Sequence, residues 1–138
     1  MTGHVDPSRE RFRAFRDLPR KGKLHMLNLV RFRDQAAYED GRKATGAEAY
    51  AAYGRESQPV FQRVGGRIAW RGNFEFNLIG PEDEQWDEVF IVEYPSIGAF
   101  VEMLRDPVYQ EAVKHRQAAV ADSRLIRCEP AAVGDKFG

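Results

Sequence analysis

Asn28 interrupts an otherwise apolar stretch, His25-Met26-Leu27-Asn28-Leu29-Val30, and a buried amide there must find hydrogen-bond partners. Two kinds of partner fit: a ligand carbonyl or carboxylate held in a pocket on the open face of a sheet, or a backbone group across a subunit contact. His115 lies in Lys114-His115-Arg116, where an imidazole can carry a proton or help bind an anion, or can sit at a helix surface near its end. Tyr50 and Tyr53 bring hydroxyl donors, and Trp70 and Trp86, with Phe74 and Phe76, bring aromatic walls that suit either a small-molecule pocket or a plain core. Arg31, Arg71 and Glu93 fall in strand-like segments where an unpaired charge in a sealed core is costly. They therefore reach an edge or line a polar site, and arginine there favours an acidic ligand. In this reading Asn28 orients a carbonyl or enolate, Tyr50 or Tyr53 donates a hydrogen bond, Arg71 neutralises charge and His115 moves the proton.

Other chemistries are excluded or weak. The chain has no phosphate-binding glycine loop, no HExxH and no serine elbow. Its histidines are His4, His25 and His115 and its only cysteine is Cys128, which argues against a histidine or thiolate metal centre within one subunit and excludes an intrachain disulfide. The acidic turn Glu82-Asp83-Glu84 lacks the spacing of a calcium loop and reads as solvated. No metal and no cofactor is expected.

These residues are positioned by a recognisable order of segments. Asp6-Pro7 reads as the start of a short helix carrying Phe12, Phe15 and Leu18 up to Pro19. A strand follows over residues 24–32, with Leu24, Met26, Asn28, Val30 and Phe32 on one face and His25, Leu27, Leu29 and Arg31 on the other. Residues 33–44 are a polar loop that carries Tyr38 outward. Thr45 and Glu48 form a capping box at the start of a long helix, which Pro59 should kink and Gly65-Gly66 should end. Strands are expected over residues 67–79 and 86–94, then helices opened by Pro95-Ser96 and Asp106-Pro107, then a closing strand over 125–129.

Strand, helix, strand, strand, helix, strand is the order of a split βαβ, ferredoxin-like α+β sandwich, with both helices on one face of an antiparallel sheet. The other apolar face then needs a cover, and a second copy is the simplest one. The chain divides into an N-terminal helical extension (1–23), the ferredoxin-like domain (24–130) and a tail (131–138). At 138 residues one domain is the natural size.

Twenty-one basic residues balance twenty-one acidic ones, which speaks against a nucleic-acid binder. The balance is uneven: residues 1–33 hold nine basic and three acidic side chains, and the remainder twelve and eighteen. The absence of a secretory leader and of a long apolar run leads to the expectation of a cytoplasmic protein without membrane association.

His25 through Phe32, Thr45-Gly46-Ala47-Glu48-Ala49-Tyr50, Gly65-Gly66, Trp86-Asp87-Glu88, Tyr94-Pro95-Ser96, Phe100 and Asp106-Pro107-Val108-Tyr109 together resemble the domain-of-unknown-function family numbered 1330. The resemblance covers about residues 24–129 and implies a dimeric α+β barrel, two sheets packed face to face around a cavity, with Asn28 matching the family's first-strand asparagine. It implies no established reaction, because the wider superfamily holds cofactor-free monooxygenases, isomerases, haem enzymes and stress proteins. The reading that results is a homodimeric, cofactor-independent monooxygenase or isomerase acting on a small acidic or carbonyl-bearing molecule. The alternative is a non-catalytic ligand-binding or structural dimer.

Overall fold

The computed structural model describes residues 3–138. Its elements run α1 (Arg9–Arg16), β1 (Leu24–Phe32), α2 (Gly46–Arg63), β2 (Arg67–Gly72), β3 (Glu88–Tyr94), α3 (Ile97–Arg105), α4 (Pro107–Ala119) and β4 (Val120–Cys128). The four strands form one sheet in the order β2-β3-β1-β4, antiparallel at every junction. This is the α+β ferredoxin-like arrangement, with α1 added in front.

Local chemistry starts each helix where the chain can satisfy its free N–H groups. The Ser8 hydroxyl accepts from Arg11 N, so α1 is capped there and not at Asp6 as the sequence suggests. Thr45 Oγ1 accepts from Glu48 N at 3.0 Å while Glu48 Oε1 accepts from Thr45 N at 2.8 Å, completing the capping box of α2. Asp106 caps α4 with Pro107 in its first turn. Pro59 does not interrupt α2, which runs unbroken through it. Pro59 is exposed, and the buried Ala49, Ala52, Ser57 and Val60 hold the helix on both sides of it.

Strand period decides which side chains meet the helices. Leu24 and Met26 pack inward with Val92 and Tyr94 of β3 against Val60, Phe100, Met103 and Tyr109. A smaller cluster joins Val30 to Ala49, Ala119 and Val120. Met26, Asn28 and Val30 therefore belong to the helix-covered side, and the uncovered face is made by Leu27, Leu29, Val89, Ile91, Trp70 and Ile126. This corrects the expectation that an uncovered pocket would form around Asn28.

Three boundaries also differ from expectation. β2 ends at Gly72, and residues 73–87 form an irregular connection instead of more strand. β3 begins at Glu88, leaving Trp86 outside it. β4 begins at Val120 directly after α4, because Asp122, Ser123 and Arg124 pair with Arg31, Val30 and Leu29 despite their polar, turn-like composition. No helix is long and apolar enough to cross a membrane among the described residues.

Gly46 lets the first turn of α2 touch the end of β1. A Cβ there would lie 2.0 Å from the Arg33 carbonyl oxygen. Gly46→Ala is therefore expected to destabilise the fold by about 1–3 kcal/mol, the usual range for forced overpacking. Urea unfolding checks this, and an unchanged midpoint would refute the close approach.

Candidate functional site

The sequence-derived candidates separate into three places. Between sheet and helices, Asn28 lies between Phe90 and Leu125 in register, and its Nδ2 donates to the Met26 carbonyl at 3.1 Å. Tyr50 packs against Phe32 and Tyr53, with ring centroids 5.1 and 5.5 Å apart. The Tyr53 and Tyr109 hydroxyls share a hydrogen bond of 2.8 Å. Burial pushes the phenols of Tyr50, Tyr53 and Tyr109 well above the ordinary tyrosine range, so they act as neutral hydroxyls. Arg71 places its Nη2 3.0 Å from both Glu88 oxygens, a pairing that already neutralises its charge.

On the uncovered face, Trp70 is 52% exposed and lies over Gly72. Arg31 is exposed at one end of this face. Glu93, at the other end, accepts from Arg67 at 2.9 and 3.2 Å, lies 3.0 Å from His25 Nε2, and has Lys23 at 3.9 Å. Arg67 and His25 hold its carboxyl down to about 2. Trp86 is buried, with the Arg124 guanidinium 5.5 Å from its ring, so it is a packing residue and does not line an open wall.

The third place holds the arrangement best suited to proton transfer, and it includes Glu56, which the sequence did not single out, and Tyr38, which it placed outward in a loop. His115 on α4 is 14% exposed and lies against Glu56 of α2. Its Nε2 is 2.8 Å from Glu56 Oε2, and its Nδ1 is 2.6 Å from the Tyr38 hydroxyl. Tyr38 therefore turns inward onto the helices, contrary to the expectation that its loop carries it out. The imidazole meets the Tyr38 ring nearly edge-on, at 81° and 5.5 Å.

Backbone bonds deliver Tyr38 to this position. Arg33 N donates to the Ala119 carbonyl at 2.7 Å, and Ala37 N donates to the Ala118 carbonyl at 2.8 Å. Ala36 N donates to Ala44 O, and Gln35 bridges Thr45. Gly41, at φ +77°, donates to the Tyr38 carbonyl and closes the turn beyond it. The loop between β1 and α2 is thus clamped to the end of α4. Arg42, paired through two nitrogens with Asp40, stacks its guanidinium 4.5 Å from the Tyr38 ring centre.

The network dictates its protons. A carboxylate beside Nε2 requires N–H there, which leaves Nδ1 to accept the Tyr38 O–H. Desolvation raises the Tyr38 pKa, opposed by Arg42, so its resting form is the phenol. Glu56, 49% exposed, opens the outer end of the chain to water. Hydroxyl, imidazole and carboxylate in this order can pass a proton in either direction. A separate surface groove of about 590 Å³, lined by Arg16, Arg63, Ile97, Val101, Arg105 and Asp106 among others, contains none of these groups. No cluster of histidine, cysteine and carboxylate capable of holding a metal occurs among the described residues.

Together these elements describe a ferredoxin-like α+β domain with a Tyr38–His115–Glu56 hydrogen-bonded chain in its helical layer. The chain belongs to the DUF1330 family, whose model, a domain of unknown function, matches residues 40–128. It is 67% identical to the methylated RPA0582 protein over 98% of this chain and 100% of that one, with a TM-score of 0.95. A second structure, RPA0582 from Rhodopseudomonas palustris, a protein of unknown function, is 66% identical over 96% and 100%, with a TM-score of 0.93. An uncharacterized NIPSNAP-like domain protein from Burkholderia xenovorans shares the fold at 17% identity over 84% and 91%, with a TM-score of 0.51. No curated protein matches the chain.

Glu93 supplies a pH test. Its folded pKa of about 2 lies below the ordinary glutamate value of 4.5, so its stabilising contribution is complete above about 4.5 and disappears as pH falls through about 2. Glu93→Gln is expected to flatten the loss of thermal stability between those values. Parallel acid limbs for the variant and the parent would show that the cluster contributes nothing to folding.

Proposed function

We propose that this chain is a cofactor-independent acid–base enzyme acting on a small carbonyl-bearing acid, with Glu56, His115 and Tyr38 as its proton relay. One observation carries the reading: His115 is bridged on both ring nitrogens, at 2.6 Å to a hydroxyl and 2.8 Å to a carboxylate. His115 Nδ1 takes the Tyr38 phenolic proton, leaving a phenolate and an imidazolium whose charge Glu56 stabilises. The phenolate removes the proton next to the substrate carbonyl, which gives the enolate and restores the phenol. The phenol delivers that proton to a second carbon of the enolate system, and the imidazolium then returns its Nδ1 proton to the phenolate. An isomerisation by proton shift balances with these groups alone, whereas an oxygenation adds dioxygen as co-reactant to the same enolate. In this assignment Asn28, Tyr50 and Tyr53 shape the layer beneath, and Arg42, held by Asp40, packs over the Tyr38 ring.

The working form is a homodimer joined through the uncovered sheet faces. Leu27, Leu29, Val89 and Ile91 are only partly covered in one copy, and Trp70 and Ile126 remain half exposed, an apolar surface that self-association removes from water. A cytoplasmic setting suits the exposed, unpaired Cys128 thiol. The second reading is a ligand-binding or structural dimer in which the Tyr38–His115 bond serves only to fasten the loop. It is favoured by that loop's two backbone bonds to the end of α4.

Hydrogen–deuterium exchange at the carbon next to the carbonyl, followed by NMR over a panel of enolisable oxo acids, tests the assignment. The parent protein is expected to accelerate exchange for at least one member. Tyr38→Phe and His115→Gln should each lose about 100-fold or more, in line with general acid–base contributions, and Glu56→Gln should alter the pH profile of the rate. Thermal melts separate the two readings. If Tyr38→Phe exchanges like the parent, or the parent matches buffer across the panel, the acid–base assignment fails.

A further inference from the structure

The connection between β2 and β3 presents apolar side chains to solvent in a way that its own fold does not use. Phe76, Leu78 and Ile79 are 79%, 85% and 92% exposed, while the residue among them, Asn77, is turned inward. Asn77 Nδ2 donates to the Pro81 carbonyl at 2.9 Å and to the Glu84 carbonyl at 3.4 Å, and Glu84 N donates to the Pro81 carbonyl at 3.2 Å. These bonds fix the connection in a shape that points its apolar side chains outward. Three large side chains held in water within four positions are a surface awaiting a partner, in contrast to the isolated exposed apolar residues of ordinary surfaces.

We infer that residues 73–87 form an arm that docks on a second copy of this chain, with Phe76, Leu78 and Ile79 as its anchors. The inference rests on the self-association proposed above and adds to it a specific contact. Two arguments favour a second copy as occupant. First, the arm is continuous with the uncovered face: it leaves β2 two residues after Trp70 and enters β3 one residue before Val89, so a copy seated on that face lies within its reach. Second, the charges are self-complementary. The arm carries Glu82, Asp83 and Glu84, and Arg31 projects from the uncovered face at the same end of the sheet with no carboxylate partner among the described residues. A two-fold axis along the strands brings each acidic turn towards the other copy's Arg31.

Analytical ultracentrifugation of the full chain, with Leu78→Asp/Ile79→Asp against the parent, tests the arm. Both positions are solvent-exposed in one copy, so far-UV circular dichroism of the variant should match the parent. The dimer dissociation constant is expected to rise about 30-fold or more, as for loss of interface anchors, and Leu78→Met/Ile79→Val should retain the parent value. Amide exchange of the unsubstituted protein reads the same contact: protection over residues 73–87 should fall when the protein is diluted below its dissociation constant. A monomeric parent would overturn both the arm and the dimer. An unchanged dissociation constant in the folded aspartate variant, or protection over 73–87 independent of dilution, would overturn the arm alone.

Discussion

The phase of β1 governs the rest of this structure. A strand has two faces and a period of two, so placing Leu24, Met26 and Val30 under the helices also places His25, Leu27, Leu29 and Arg31 on the other side. β1 is central, paired with β3 on one edge and β4 on the other, and its register passes the same choice to both neighbours. Val92 and Tyr94 go inward, while Val89 and Ile91 go outward. A slip of one residue would put His25 and Arg31 into the packed layer, where nothing could solvate them, and that penalty selects the observed pairing. One helical layer covers one face only, so an apolar sheet surface without intrachain cover follows from the same constraint.

The relay depends on that layer as well. α2 and α4 can lie side by side because the residues between them and the sheet are small: Ala49, Ala52, Ala112, Ala118 and Ala119 are buried. Close packing of the two helices brings Glu56 and His115 within 2.8 Å. The carbonyls of Ala118 and Ala119, at the C-terminal end of α4, lack partners within their own helix and accept from Ala37 and Arg33 of the loop. The same unsatisfied helix end that would otherwise need water thus anchors the segment that carries Tyr38.

Much of this architecture was legible from the chain. The alternation of β1, the Thr45–Glu48 capping box and the Asp106-Pro107 helix start are local signals, and each element forms where its residues indicate. The errors have physical causes. Phe74, Phe76 and Leu78 alternate as in a strand, but the Asn77 amide closes a turn onto Pro81 and Glu84 and breaks the pattern. Asp122-Ser123-Arg124 looks like a turn, yet the ladder to β1 and the Asp122–Arg124 ion pair at 2.8 Å hold it extended. Tyr38 gave no signal because a single aromatic in a polar loop has no period, and nothing local announces that the loop is tied to a helix eighty residues away. Asn28 stands out as a polar residue in an apolar strand, but its amide N–H donates to the Met26 carbonyl two residues back on its own strand.

Two pairs of polar rings in this protein differ in where a proton leaving them could go. Tyr53 and Tyr109 share a hydrogen bond as short as many catalytic ones, at 2.8 Å. Both are enclosed, however, and burial disfavours the charged form of each. A proton leaving either has no base to receive it, so the pair satisfies two buried hydroxyls and contributes packing. Tyr38 also feels desolvation, but its partner is an imidazole whose far nitrogen meets a half-exposed carboxylate. Charge created on the imidazole is stabilised by Glu56, and the proton has a route to water. The difference lies less in bond length than in where a proton could go next, and that criterion favours the Tyr38–His115 pair for the proposed chemistry.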